Sequence, residues 1–244
     1  ISLAAGIPPY KLFNSKDGYQ GSNPINLFQD REGFIWISST NGLIRFDGSD
    51  FETYNITDGL ISNEAVGLDE QHDSTLLISF RNTGIMKLKN QKFMNFYLND
   101  KPNFVGSIIL LGDDIYTYSH NFIHIIKNGR VKQLSYEFTH LKIDSSSFNS
   151  TFILHQIIKS DNNKLIAATS NGIYIIEGES VNKVDTRTGN EMFNSLYIDK
   201  EGNIWAGSKG KIILFDKYFN IMNQIGLLGY EDETVTNIIK DDYG

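Results

Sequence analysis

His120 and His124 stand four residues apart. On a helix that spacing would put two imidazoles on one metal ion. On a strand the two share a face but lie about 13 Å apart, at ~3.3 Å per residue, too far for one ion. Asp30, Asp161 and Asp199 each open a turn-like stretch. Carboxylates can bind calcium, but the ligand spacing of a calcium loop is absent, so they read as turn caps. His72, Asp73 and Ser74 have the residue types of a nucleophilic triad. Neighbours on one turn do not reach that geometry, and there is no Gly-x-Ser-x-Gly elbow. "GYQGSNP", residues 18–24, lacks the Gly-Lys-Ser/Thr ending of a phosphate loop. The sequence therefore assigns no catalytic residue, no metal ligand and no cofactor.

The chain of 244 residues holds 40% hydrophobic and 12% aromatic residues, which suits a packed core rather than a disordered segment. With 21 Gly, 4 Pro and many Asn and Asp, it favours short strands joined by tight turns. Net charge is −7 and the basic residues are scattered, which argues against a nucleic-acid or anionic-membrane surface. There is no cysteine, so disulfides, thiol nucleophiles and Cys-ligated zinc are excluded. No apolar run approaches the roughly 20 residues of a membrane helix.

What positions the residues is an internal repeat. "DREGFIWISSTNGLIRFDG" at 30–48 returns as "DKEGNIWAGSKGKIILFD" at 199–216. Weaker copies lie at 66–98, 105–134 and 152–184, and another starts at Val235. Each unit reads as four short strands. An apolar run ends at Asp, and Asp-x-x-Gly makes a turn, as in Asp30 to Gly33 and Asp199 to Gly202. A second strand carries Trp36 or Trp205, replaced by Leu77 or Ile166. Asn41-Gly42 and Asn171-Gly172 follow, a pair that favours a type I′ hairpin. In the second unit the turn before Leu77 reads as longer. Gly42 to Gly84 is a step of 42 residues, the length of a β-propeller blade.

The expected fold is all-β, a propeller of four-stranded antiparallel blades. Residues 1–9 form a leader, and 10–14 a strand that completes the last blade, by analogy of "YKLFNSKDGY" with "FETYNITDGL". Blades follow at 15–60, 61–98 and 99–136, then an insertion at 137–151. Two more blades lie at 152–190 and 191–229, and a sixth starts at 230–244. A ring left open exposes strand edges and invites a homodimer. Asp30, Gly33, Trp36, Gly42, Gly84, Gly172, Asp199, Gly202 and Trp205 are repeat positions, so they are expected to serve structure.

These motifs resemble the two-component regulator propeller repeat. Asp30, Gly33, Ile35, Trp36, Thr40, Gly42 and Leu43 match its pattern, as do Asp58, Gly59 and Leu60. Asp199, Gly202, Ile204, Trp205 and Gly207 match it again. The resemblance implies the N-terminal periplasmic sensor of a hybrid two-component histidine kinase of the Bacteroidetes type, with an oligosaccharide or other small molecule as ligand. Transmembrane and kinase parts would then follow residue 244.

Residues that break the repeat on loops are the better binding candidates. Arg81, Asn82, Tyr118, His120 and His140 are the candidate ligand-binding set, because aromatic, amide and cationic groups suit a polar or acidic sugar. The alternatives are a protein-binding scaffold and a streptogramin-lyase-like enzyme. The latter needs a His and Glu pair, for which Glu64, Glu70 and Glu191 have no obvious partner.

Overall fold

The computed structural model describes residues 11–98, 106–119, 122–134, 153–160 and 163–240. Their strands form five four-stranded antiparallel sheets, each in simple sequence order. This is the all-β blade architecture that the repeat implies. The described residues divide into two compact units, residues 1–103 and 104–244.

The first unit holds two blades. Blade 1 comprises β1 (Pro24–Gln29), β2 (Ile35–Ser39), β3 (Gly42–Phe46) and β4 (Phe51–Tyr54). Blade 2 comprises β5 (Ala65–Glu70), β6 (Leu76–Phe80), β7 (Gly84–Lys89) and β8 (Lys92–Leu98). One cluster joins them. Trp36, Leu43 and Leu60 pack with Ala65, Leu68, Leu76, Ile78, Phe80 and Met86. Burial between sheets is the main stabilising term in such a stack, since a lone sheet has no second layer to cover its apolar face.

The second unit holds three blades. Blade 3 comprises β9 (Ser107–Leu111), β10 (Asp114–Ser119), β11 (Phe122–Lys127) and β12 (Arg130–Leu134). Blade 4 comprises β13 (Leu154–Ser160), β14 (Lys164–Thr169), β15 (Gly172–Glu177) and β16 (Ser180–Lys183). Blade 5 comprises β17 (Ser195–Ile198), β18 (Ile204–Ser208), β19 (Lys211–Phe215) and β20 (Ile221–Gly226). One core joins blades 3 and 4 around Tyr116, Ile125, Leu165 and Tyr174. A second joins blades 4 and 5 around Ile166, Ile173, Phe193, Phe215 and Phe219.

Three expectations change. Lys11–Asn14 form no strand, and Tyr10 lies outside the described residues. Among the described residues, no neighbouring strand offers this segment a ladder. Instead Asn14 caps a short 3-10 helix, Ser15–Asp17, through a capping box that ends on Gly18 at φ +90°. Asn55 does the same for Ile56–Asp58, ending on Gly59 at φ +102°. The sequence analogy therefore holds for the linker and not for the strand. Phe13 packs edge-on against Phe46 and Phe51, at 5.0 and 5.4 Å between ring centres. Tyr19 meets Phe51 at 5.5 Å, so residues 11–21 cover one face of blade 1.

Next, the Asn-Gly turns are not type I′. Positive φ falls on Gly42 and Gly172, at +121° and +113°, and not on Asn41 or Asn171. Type I′ needs it at both central residues. A hydroxyl staple fixes the observed turn instead. Ser39 Oγ donates to Gly42 O (2.9 Å) and accepts from Asn41 N (3.1 Å). Thr169 repeats both bonds at 2.7 and 3.1 Å with Gly172 and Asn171. Turns with positive φ at both central residues occur at Asn90-Gln91 and Asn128-Gly129, between the third and fourth strands of their blades.

Finally, the turn before Leu77 is not longer. Gln71 N donates to Thr75 O at 2.9 Å and Ser74 N to Gln71 O at 3.1 Å. Asp30 with Phe34 and Gly33 forms the same pair of bonds, both 3.0 Å. The equivalent of Asp30 is thus Gln71, and Ser74 at φ +60° stands for Gly33 at +93°. In blade 4 the strand register puts Ser160 at the Asp30 position, and Asp161 lies outside the described residues.

Candidate functional site

The repeat's own chemistry is a carboxylate that holds an indole. Asp30 Oδ2 accepts from Trp36 Nε1 at 2.7 Å, while its Oδ1 caps the N–H groups of Phe34 and Glu32. Asp199 does the same for Trp205 Nε1 at 3.1 Å, and also holds Asn203 and Glu201. Partial burial raises the pKa of Asp199, but the donors from Trp205, Asn203 and Glu201 outweigh it and hold the carboxyl below its ordinary value. The Asp is therefore more than a turn cap. Its spacing of six residues from Trp, across a hairpin, is the signal that sequence reading passed over. Where Gln71 replaces the Asp, Leu77 replaces the Trp, and no indole needs an acceptor.

The same five-residue turn recurs inside blade 5. Asp216 accepts from Asn220 N and Nδ2, both at 2.9 Å, as Asp199 does from Asn203. Phe219 there takes φ +66°, the position of Gly202 at +84°. Phe219 is only 8% exposed and packs on Phe215, which holds a side chain in a backbone region that favours glycine.

Three of the five candidate ligand-binding residues, Arg81, Asn82 and Tyr118, are among the described residues. His120 and His140 lie outside the described residues. Arg81 and Asn82 sit in the β6–β7 turn of the first unit, with Asn82 at φ +56°. Arg81 Nε is 2.6 Å from Glu64 Oε1, and half of the Arg81 side chain is exposed. Tyr118 lies on β10 of the second unit, half-buried against the core shared by blades 3 and 4. His124 is buried on β11 beside Phe122, and burial lowers its pKa to about 4. Among the described residues, no group of three or more His, Cys, Asp and Glu is placed to hold a metal ion.

Sequence reading missed a polar cluster at the same turn ends of blades 4 and 5. Lys183 Nζ donates to Asn190 Oδ1 at 3.0 Å and to Asn171 Oδ1 at 3.3 Å. Its pKa is lowered by partial burial, and its two acceptors are neutral amides rather than carboxylates. Next to Asn190 in the chain, Glu191 accepts from Ser208 Oγ at 2.7 Å and from Lys211 Nζ at 2.8 Å. The bonded pairs lie 7 to 20 positions apart in sequence, and only the fold brings them together.

At the opposite ends of the strands, two repeat-equivalent grooves open between blades. The one between blades 1 and 2, about 380 Å³, is lined by Phe34, Trp36 and Tyr54 with five carboxylates, including Glu52 and Glu70. Arg45 crosses it, paired with Glu52 at 2.8 Å and placed over the Phe34 ring at 4.6 Å. The one between blades 4 and 5, about 280 Å³, is floored by Ile166, Ile175, Ile198 and Ile204 and edged by Lys164, Lys200 and Lys217. Their linings differ although the backbone positions match, so neither reflects the repeat alone.

Comparison with known proteins places the fold. Residues 187–210 match the family model described as Two component regulator propeller. No curated protein sequence matches the chain. Among solved structures, the extracellular domain of the hybrid two component system BT4673 from B. thetaiotaomicron is 19% identical. Its TM-score is 0.68, and the match covers 93% of this chain and 30% of that one. The corresponding domain of BT3049, from the same organism, is 19% identical with a TM-score of 0.63, covering 88% of this chain and 32% of that one. Virginiamycin B lyase from Staphylococcus aureus is 16% identical with a TM-score of 0.66, covering 95% and 77%. The chain thus spans about a third or less of the length of the two-component domains that it resembles. At these identities the likeness is one of fold, the β-propeller.

Proposed function

We propose that this chain is the ligand-binding part of an extracytoplasmic sensor that feeds a two-component histidine kinase. The observation that supports it is the repeat itself. It recurs through five blades, it matches the two component regulator propeller over 187–210, and its fold resembles the extracellular domains of two such systems. The same likeness supports a periplasmic location in this reading. No helix among the described residues is long and apolar enough to cross a membrane.

The ligand in this reading is an oligosaccharide or related nutrient, and each unit offers its own candidate groups: Arg81 and Asn82 in the first, and Tyr118 or Lys183 with its two Asn partners in the second. Amides and ammonium groups offer the donors and acceptors that sugar hydroxyls need. Calorimetry against a panel of neutral and acidic oligosaccharides tests it. One class should bind, and Arg81→Ala or Lys183→Ala should weaken it at least tenfold without moving the Tm. No binding across the panel, or unchanged affinity in both variants, rejects the sugar reading.

A streptogramin-lyase-like enzyme is the second reading, favoured by the extent of the likeness to virginiamycin B lyase. The glutamates it would draw on are engaged: Glu64 by Arg81, Glu70 by Arg31, and Glu191 by Ser208 and Lys211. Metal-dependent turnover of a streptogramin would favour it.

A further inference from the structure

The groove between blades 4 and 5 sits at repeat positions whose side chains have changed together. In blade 1, Trp36 pairs across the sheet with Arg45, and the same pair in blade 4 is Ile166 with Ile175. In blade 2, Glu70 pairs with Leu76, and the same pair in blade 5 is Ile198 with Ile204. An indole, a guanidinium and a carboxylate in one groove are thus three isoleucines in the other. Ile166 and Ile204 are sealed in the core of blades 4 and 5, while Ile175 and Ile198 are only partly buried against it. Phe219 adds its ring to the lining. Gly202 makes the same turn without a side chain, so the backbone does not require a Phe at φ +66°.

Cations edge this apolar floor. Lys200 and Gly202 lie in the β17–β18 turn, and Lys217 in the β19–β20 turn. A Cβ on Gly202 would lie 3.9 Å from Lys217 Cβ, so the two turns run side by side. Lys164 is paired with Glu177 at 2.8 Å. Lys200 stands 3.7 Å from Glu201 with 78% of its side chain exposed, a loose pair in water. Lys217 lies 5.2 Å from the Tyr218 ring centre and has no ion pair among the described residues. Glu201 is the one carboxylate among the described lining residues, against three lysines, on a chain whose net charge is −7.

Such a groove selects by charge and by chain. The isoleucine floor would leave a sugar's hydroxyls unpaired. It rewards a hydrocarbon chain, and the lysines favour an anionic end. A volume of about 280 Å³ is at the foot of the range for small-molecule sites, roughly 300–1,000 Å³, so the groove takes one unbranched chain and not a two-chain lipid.

We propose that this groove binds a free, single-chain aliphatic carboxylate, with its tail on the four isoleucines and its carboxylate at Lys200 and Lys217. The site is separate from the turn ends that carry Arg81 and Lys183, so it stands or falls independently of the sugar reading.

Calorimetry of the 244-residue chain with decanoate, kept below its micelle concentration, tests this. One decanoate should bind per chain. Hexanoate, with less chain to bury, should bind about tenfold or more weaker. Decyltrimethylammonium has the same tail and the opposite charge, and should also bind about tenfold or more weaker. Lys217→Ala should weaken decanoate about threefold, the size of one exposed charge pair, and leave decyltrimethylammonium no weaker. Ile198→Glu, which installs the residue that blade 2 carries at this position, should weaken decanoate about tenfold or more. No decanoate binding overturns the proposal, as does equal affinity for the two head groups. Several decanoates per chain, unmoved by either substitution, mean detergent action and also overturn it. So does binding to phosphatidylglycerol vesicles without binding to free decanoate, which makes the groove a membrane contact instead. If Ile198→Glu lowers the Tm, Lys217→Ala at its exposed position decides alone, and unchanged decanoate affinity there overturns the proposal.

Discussion

Trp36 and Trp205 each give an indole N–H to an aspartate six residues earlier, yet one is sealed in a core and the other is half-buried. The difference separates two things that a repeat does. The Asp–Trp bond belongs to a single hairpin and needs no neighbour. The burial belongs to the pair of blades. One is therefore written in every good copy, and the other depends on what packs next.

The largest effect should come from breaking the burial. Trp36→Ala leaves a cavity in the core of blades 1 and 2, and should cost about 3–5 kcal/mol. Trp205→Ala, on the half-buried face, should cost about 1–2 kcal/mol. Denaturant unfolding of both variants measures the gap, and equal losses would erase the distinction.

Next in size is the turn that follows. Gly42→Ala puts a Cβ 2.2 Å from Tyr54 O at φ +121°, with backbone that has no room to yield. A loss of about 3 kcal/mol is expected from strain and clash together. Gly33→Ala meets nothing within 4 Å, so only its φ of +93° is penalised. About 1 kcal/mol is expected there. The Tm of the two variants distinguishes a crowded turn from a merely left-handed one.

The Asp–Trp bond should behave alike in both places. Asp30→Ala and Asp199→Ala should each cost about 2 kcal/mol, as bonds to a charged acceptor do, and a cost that follows Trp burial instead would show that the bond is not local. Because the carboxyl of Asp199 is held below its ordinary value, its contribution is present above about pH 4, the unfolded carboxylate value, and is lost as pH falls further. A Tm profile of Asp199→Asn should flatten in that acid window.

Blade 3, with a two-residue turn at Gly112-Asp113 in place of the Asp–Trp hairpin, should titrate elsewhere. His124 is buried neutral with its pKa lowered to about 4. The unfolded chain takes up the proton first, near the ordinary value of about 6.5, so this contribution is whole above that pH and declines toward 4. His124→Gln should remove the smaller slope between those two values and leave the acid slope of Asp199 in place. Tm measured at half-unit steps resolves the two.

The blades were legible because their signals are local. Asp30, Gly33 and Trp36 lie within seven residues, and their copy at Asp199 fixed the period. Legibility failed where another residue type filled a backbone role. Gln71 and Ser74 make the turn of Asp30 and Gly33, so without the Asp and the Gly the turn before Leu77 reads as longer than it is. Asn41-Gly42 carries the hairpin dipeptide, but Ser39 staples the turn and only glycine takes positive φ. Lys183, Asn171 and Asn190 come from a strand end, a turn and a linker, and no spacing rule joins them.

The paired capping boxes at Asn14 and Asn55 have a consequence for how such a chain is assembled by recombination. Both open at φ −143° and close on a glycine that reverses the chain. Between blades 1 and 2 the seam therefore lies at Asn-x-x-Asp-Gly, after the fourth strand, and not at the Asp-x-x-Gly turn that the eye meets first. A gene segment cut at Asn55 carries a whole blade with its exit hinge attached. Cut at Asp30, it divides a carboxylate's own strand from the indole it holds, and neither half could be moved alone.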